Sequence, residues 1–254
     1  MATFDQLVAE AAAAPIEGWD FSWLEGRASE ERPSWGYARR LVPRVAGAQA
    51  LLDVQTGGGE VLAGALAQAA GRPALIAASE SWPPNLARAR ERLGAFGASV
   101  AEAPDRGPLP YPDHTFDLVV SRHPTVTVWP EIGRVLQPGG TYFSQQVGAG
   151  TNHELTDFMM GPQPIGDGRS TRRAVAEAEA AGLQVLDLRE ATLRAEFFDV
   201  GAVVYFLRKV LWTVPGFTVE AYHEPLRRMH EHIESQGPFV SSVGRFLVEA
   251  RKLP

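Results

Sequence analysis

Between Gln49 and about Val147 the chain alternates between two patterns, short unbroken apolar runs and stretches where apolar residues recur every three or four positions. The runs, bounded by glycine or proline, read as strands buried on both faces, and the recurring pattern reads as amphipathic helix. "ALLDV" (50–54) is the first strand, and three consecutive glycines, Gly57, Gly58 and Gly59, follow it closely. "EVLAGALAQAAG" is a helix with Val61, Leu62, Leu66 and Ala69 on one face and Gly71 as its stop. Next come a strand in "PALIAAS" and a helix in "PPNLARARERLGAFG", with Pro83 and Pro84 suited to its first turn. A weaker strand in "ASVAEA", a strong one in "FDLVVS", a helix in "VWPEIGRVLQPGG" and a strand in "TYFSQQV" complete the series. Strands alternating with helices of about ten residues imply βαβ crossovers, so the expected class is α/β, a doubly wound, mostly parallel sheet with helices on both faces.

The flanks extend this plan. An alanine-rich helix opens the chain, and "SWGYARRLVPRVAG" is a second helix with Ser34 as N-cap and a kink at Pro43. Beyond the fifth strand, "STRRAVAEAEAAG" is a helix capped by Ser170 and ended by Gly182, and "LQVLDLREATLRAEFF" reads as strand. Helical stretches at 200–212 and 218–236 precede "GRFLVEARK", which alternates as an antiparallel last strand and brings the sheet to seven. A plain doubly wound sheet needs only a short link there. Residues of about 198–237 therefore read as an insertion in a domain of 48–254, and with the N-terminal segment 1–47 they form a helical lid. The aromatics of these parts (Phe197, Phe198, Tyr205, Phe206, Trp212 and Phe217; Trp19, Trp23, Trp35 and Tyr37) either wall a pocket or form a second small core.

Composition narrows the chemistry. The 254 residues, 45% hydrophobic, suffice for one large α/β domain with an appendage. With no cysteine there is no thiolate nucleophile, disulfide, cysteine-held zinc or iron–sulfur cluster. No apolar run reaches the eighteen or so residues of a membrane span, and the N-terminus lacks a basic start, so a cytoplasmic protein is expected. A net charge of −6 gives no global attraction to nucleic acid. His230, Glu231 and His232 resemble a metal cluster on paper, but helix positions i and i+2 do not share a face. They read as solvated helix surface, and no metal site is expected.

The glycine turn cost backbone entropy, so it needs conformations or a close approach that a β-carbon forbids. In a doubly wound sheet, ligands bind outside the carboxyl ends of the strands where the order reverses. Gly57 and Gly59 begin a Gly-x-Gly-x-x-Gly pattern, but its third position is Leu62, so the dinucleotide fingerprint fails. No Lys-Ser/Thr pair follows the loop, which excludes a P-loop. Asp53, near the strand end, suits a ligand with a positive group.

Taken in order, "LLDVQTGGGE", "IAASES" with "NLARAR", "PDRGPLPYPDHTFDLVVSRH" and "EIGRVLQPGGTYFSQQ" resemble a class I S-adenosylmethionine-dependent methyltransferase. Within that superfamily the pattern is similar to the single-domain bacterial group allied to the quinone C-methyltransferases. The resemblance covers 50–147 closely and the C-terminal strands more loosely. It implies S-adenosyl-L-methionine as cofactor, with Asp53 and the loop of Gln55, Thr56, Gly57 and Gly59 holding the methionine end. By the same resemblance Glu80 accepts hydrogen bonds from both ribose hydroxyls, and Ser81 and Trp82 border the adenine. Asp105 receives the adenine amino group, Arg106 offers its backbone amide, and Ser121 lies near the transferable methyl. For Asp53 and Glu80, capping of the next helix stays open as the other role. The family usually has glycine where this chain has Gln55, and a β-carbon there restricts the backbone and crowds the cofactor.

Methyl transfer asks the enzyme to hold nucleophile and methyl in line, and asks for a base where the acceptor must lose a proton. "SRHPT" offers Arg122 and His123 as catalytic candidates, His123 as the base; the other reading packs His123 beside Pro124. Trp35, Tyr37 and Tyr205 are candidates for a substrate pocket. Three functions remain: a methyltransferase for a small, partly apolar molecule, an RNA base methyltransferase, and a catalytically inactive binding module. The first is expected, acting as a monomer or homodimer without nucleic acid or membrane partners.

Overall fold

The computed structural model describes residues 2–16 and 18–254. In chain order the elements are α1 (Phe4–Ala13), β1 (Ala28–Glu30), α2 (Tyr37–Gly47), β2 (Ala50–Val54), α3 (Glu60–Gln68) and β3 (Leu75–Glu80). They continue through α4 (Pro83–Gly94), β4 (Ser99–Glu102), β5 (Phe116–Arg122), α5 (Trp129–Val135) and β6 (Leu136–Val147). The remainder are α6 (His153–Met160), α7 (Thr171–Ala180), β7 (Leu183–Phe197), α8 (Val200–Lys209), α9 (His223–Gln236) and β8 (Phe239–Lys252).

The sheet order is β1-β7-β8-β6-β5-β2-β3-β4. Strands β2 to β6 pair in parallel, β8 runs antiparallel to β6, and β1 antiparallel to β7. The chain steps outward from β2 to β4 and then returns to lay β5 beside β2, which makes β2/β5 the point where strand order reverses. All five residues of β2 are buried, as an unbroken apolar run demands. The two sides follow the strand period of two. Leu51, Ile76, Ala78, Leu118 and Val120 pack with α2, α3 and α4, while Leu52, Ala77, Val119 and Tyr142 pack with α5 and α7.

Several boundaries differ from the sequence reading. The sheet has eight strands, because the three-residue β1 pairs Ala28 with Phe197 and Glu30 with Ala195. It is too short and polar for periodicity to reveal it. Ser34 does not cap α2: the N-cap position is Gly36, at φ 62 and with no side-chain cap. Helix α5 stops at Val135, and "LQPGG" joins β6, with Leu136 opposite Phe116 and a register shift before Leu118. Ser170 does cap α7, accepting from the Arg173 amide. The helix α6 had no counterpart in the sequence reading.

The chain divides into two compact units. One gathers Met1–Arg32, Ala149–Asp167 and Thr192–Gly244 around Val8, Leu155, Phe197, Val203, Leu226 and Met229. In it His230 is only partly exposed and its ring packs on Phe4 at 5.7 Å, as does the ring of the exposed His223 at 5.4 Å. The other unit, Pro33–Gly148, Gly168–Ala191 and Arg245–Pro254, holds β2 to β6 and the helices on their faces. Among the described residues, no helix is long and apolar enough to cross a membrane.

Candidate functional site

Because β2, β3, β4 and β5 are parallel, their carboxyl ends lie together, and the glycine loop leaves the first of them. Three loop residues have left-handed backbone, Gln55 at φ 57, Gly57 at φ 64 and Gly59 at φ 78. Gly59 stands at the N-cap position of α3, where a β-carbon would come within 2.9 Å of Leu93 Cγ. A β-carbon on Gly57 would meet nothing within 4 Å, so space is open beside that backbone. Left-handed backbone at Gly57 and Gly59, and the Leu93 side chain beside Gly59, are what a β-carbon would resist in this turn.

Two carboxylates sit beneath the loop. Asp53 is buried, and its Oδ2 accepts a 2.6 Å bond from Thr56 Oγ1. Burial pushes its pKa up to about 7, the Thr56 bond opposes the rise, and the Glu80 charge adds to it. Glu80, at the end of β3, accepts from the backbone amides of Gly57 (2.8 Å), Ser81 (3.1 Å) and Trp82 (3.0 Å). Burial raises its pKa too, against those three amides, and Asp105 adds repulsion. Glu80 thus ties the glycine loop to the start of α4. A carboxylate has about four acceptor sites, so roughly one remains for a ligand donor. Neither Asp53 nor Glu80 has a cationic partner among the described residues. A buried anion without a counter-ion suits a cationic ligand.

The loop after β4 closes another side. Arg134 donates to Glu131 and Asp113 and to the carbonyls of Leu109 and Tyr111, while Tyr111 Oη donates to Ala78 O at 2.7 Å. This brace holds a narrow cleft lined by Asp105, Leu109, Ser121, Pro124, Val126 and Tyr142, among others. Gln55 lines it too and bridges it. Its Nε2 donates to Val126 O at 2.7 Å, and its Oε1 accepts from the Thr125 amide at 2.6 Å. On the cleft floor Ser121 Oγ lies 2.7 Å from Tyr142 Oη and 2.9 Å from Ser144 Oγ.

The expected residues divide accordingly. Asp53, Gln55, Thr56, Gly57, Gly59, Glu80, Ser81, Trp82, Asp105 and Ser121 gather about the carboxyl ends of β2 to β5. Arg106 and Arg122 are exposed. Trp35 and Tyr37 are buried framework: Trp35 Nε1 donates to Gln145 Oε1 at 2.7 Å, and Tyr37 stacks on Phe143 at 5.0 Å and donates to Ser121 O. Tyr205 belongs to the other unit, where it is buried against Trp23 with ring centroids 4.7 Å apart. His123 is ill suited to act as a base. Burial first, then the charges of Arg245 and Arg122, push its pKa down to about 3, and its Nε2 lies 2.8 Å from Gln145 Nε2. Tyr142, Thr127 and Gln145 were missed, because polar residues inside a strand or a short loop carry no motif of their own.

Residues 52–144 match the profile of a family described as a methyltransferase domain. No curated protein matches the chain. Among solved structures it is similar to a candidate methyltransferase from Bacillus halodurans, with a TM-score of 0.59 and 17% identity over 85% of this chain and 99% of that one. A candidate sarcosine dimethylglycine methyltransferase from Galdieria sulphuraria gives a TM-score of 0.53 and 16% identity over 86% of this chain and 84% of that one. The [4+2]-cyclase SpnF gives 0.52 and 18% over 97% and 91%. At such identities the structures speak for the fold, a Rossmann-like α/β architecture. The family match gives residues 52–144 the character of a methyltransferase domain, and S-adenosyl-L-methionine is the cofactor such a domain implies. The residues fit that group, since two buried carboxylates without an ionic partner among the described residues suit a cationic ligand and there is open space beside Gly57.

Proposed function

We propose that the protein transfers a methyl group from S-adenosyl-L-methionine to an oxygen, nitrogen or carbon of a small, partly apolar molecule. The observation that carries this reading is the cleft lining, which contains apolar side chains, hydroxyls and the acids Asp105 and Glu131 but neither arginine nor lysine. Polynucleotide sites need basic grooves. A small apolar body with a few polar groups matches the cleft better. The likeness of the motifs to the quinone C-methyltransferase group supports an acceptor of the same character.

When bound, the cofactor supplies a methyl on a cationic sulfur, open to in-line displacement by a nucleophile. In this reading Asp53 and the amides of the glycine loop hold the methionine end. Glu80 takes one ribose hydroxyl with its remaining acceptor site, and Asp105 with the Arg106 amide borders the adenine. Ser81 and Trp82 flank the base, and Ser121 lies near the methyl. The Gln55 bridge and the braced 109–113 loop keep water out, which favours transfer over hydrolysis. The test is labelled-methyl transfer into fractionated cell extract, with the product read by mass spectrometry. A labelled small molecule supports the proposal; label only in RNA, or no label with intact cofactor binding, overturns it.

A further inference from the structure

The chain after β5 turns at His123, whose φ of 55 places a non-glycine residue in the left-handed region. Such backbone concentrates at functional sites, and histidine tolerates it better than most residues. Its neighbours Ser121 and Pro124 both line the cleft. The His123 amide donates to Gln145 O at 2.7 Å, so β6 holds the turn in place.

The ring is held just as firmly. An indole nitrogen can only donate, so the Trp35 Nε1 contact at 2.7 Å requires an oxygen on the Gln145 side. That fixes the Gln145 amide: Oε1 faces Trp35, and Nε2, with its two hydrogens, faces His123 at 2.8 Å. Two donors cannot face each other across that distance, so His123 Nε2 must be the acceptor. A neutral imidazole with a bare Nε2 carries its proton on Nδ1. Among the described residues that nitrogen has no protein partner, and it is not sealed from solvent.

We propose that Trp35 and Gln145 are positioning residues that fix the His123 proton on Nδ1, so that His123 donates a hydrogen bond to an oxygen lone pair of the acceptor. This rests on the methyltransferase reading above. It assigns the acceptor a carbonyl, hydroxyl or carboxylate oxygen beside the atom to be methylated. His123 takes no proton from the acceptor. The Arg245 and Arg122 charges, which also face it, work in the same direction by disfavouring a cationic ring.

The tautomer can be read without any activity. In ¹⁵N-labelled full-length protein, with His123 assigned by its loss in His123→Asn, two-bond ¹⁵N–¹H correlation spectra should show a protonated Nδ1 and a bare Nε2 from pH 5.5 to 8. Trp35→Phe, which frees the Gln145 amide to flip, should mix the tautomers. A protonated Nε2 in the wild type, or an unchanged spectrum in Trp35→Phe, overturns the relay. Labelled-methyl transfer into extract tests the donor role. His123→Ala should lower it at least tenfold, and His123→Asn, which keeps N–H donors and tolerates left-handed backbone, should recover part of the loss. Equal transfer by His123→Ala and wild type, both binding the cofactor alike in calorimetry, overturns that role. Wild-type protein without transfer overturns the methyltransferase reading instead, while the spectra still decide the relay.

Discussion

Asp53 and Glu80 are both acids, 27 positions apart in sequence, and the fold gives them different surroundings. Glu80 accepts from three backbone amides and keeps roughly one acceptor site, so its removal acts on both the loop and the ligand. Glu80→Ala should weaken cofactor binding roughly ten- to a hundredfold in calorimetry, the value of a charge-assisted hydrogen bond of about 1.5–3 kcal/mol. It should also lower the melting temperature, because the Gly57, Ser81 and Trp82 amides lose their acceptor. Equal affinity in a folded variant would remove Glu80 from the site. Asp53, with a pKa raised to about 7, titrates in a useful range. A raised folded-state pKa means stability that is complete below the unfolded value near 4 and lost as pH climbs through 7. A cationic ligand needs the ionised form, so affinity should fall about tenfold between pH 7.5 and 6, with close to one proton released per ligand bound at pH 6. Asp53→Asn should flatten that dependence, and a wild-type affinity indifferent to pH would clear Asp53 of the role. Both acids were legible in the sequence as acids at strand ends beside glycine. The titration of Asp53 was not, since it depends on burial that only the packed sheet creates.

At the scale of elements, the turn from β2 to α3 answers what three glycines achieve together. Gly57 and Gly59 take left-handed backbone, and Gly59 also lets α3 close onto Leu93. Gly59→Ala, strained at φ 78 and 2.9 Å from Leu93 Cγ, should cost about 1–3 kcal/mol in denaturant unfolding. A loss well under that would mean α4 gives way easily. Gln55 holds the same left-handed backbone at some strain and offsets it with two bonds to the 125–126 backbone. Gln55→Gly trades those bonds, about 0.5–1.5 kcal/mol each, for relief of strain of similar size. Its stability should stay within about 1 kcal/mol of wild type, and cofactor affinity should be no lower. A clear drop in affinity would show that the bridge itself shapes the site. The unbroken apolar runs made β2, β3 and β5 readable, and Ser170 marked the start of α7 by its cap. Polar β1 and the run from α5 into β6 escaped, because their pairing is set by neighbouring strands rather than by their own side chains.

For the whole molecule, the net charge of −6 and the cleft agree about what is excluded. A protein that neutralises several phosphates loses affinity steeply with salt, by a thousandfold or more between 50 and 200 mM when six or more contacts form. Here the cleft presents acids, and the arginines nearby are engaged or solvated: Arg134 braces its loop, and Arg106 and Arg122 are exposed. The division into two units bears on the same question. The aromatics at 197–217 that were candidates for a pocket wall are in part a core of their own, with Phe197 and Tyr205 buried, while Phe198 and Trp212 stay exposed. An aromatic-rich segment looks the same in sequence whether its rings face a ligand or each other, so periodicity could not separate these roles. The cleft lining could not be read either, because it is drawn from five separated stretches between Val54 and Tyr142. Its composition leads to a test that needs no knowledge of the acceptor. Labelled-methyl transfer into extract should survive nuclease treatment and change less than about threefold between 50 and 200 mM salt. A steep fall with salt together with loss of label after nuclease would make the acceptor an RNA, and the acidic cleft would then be only its last, enclosed portion.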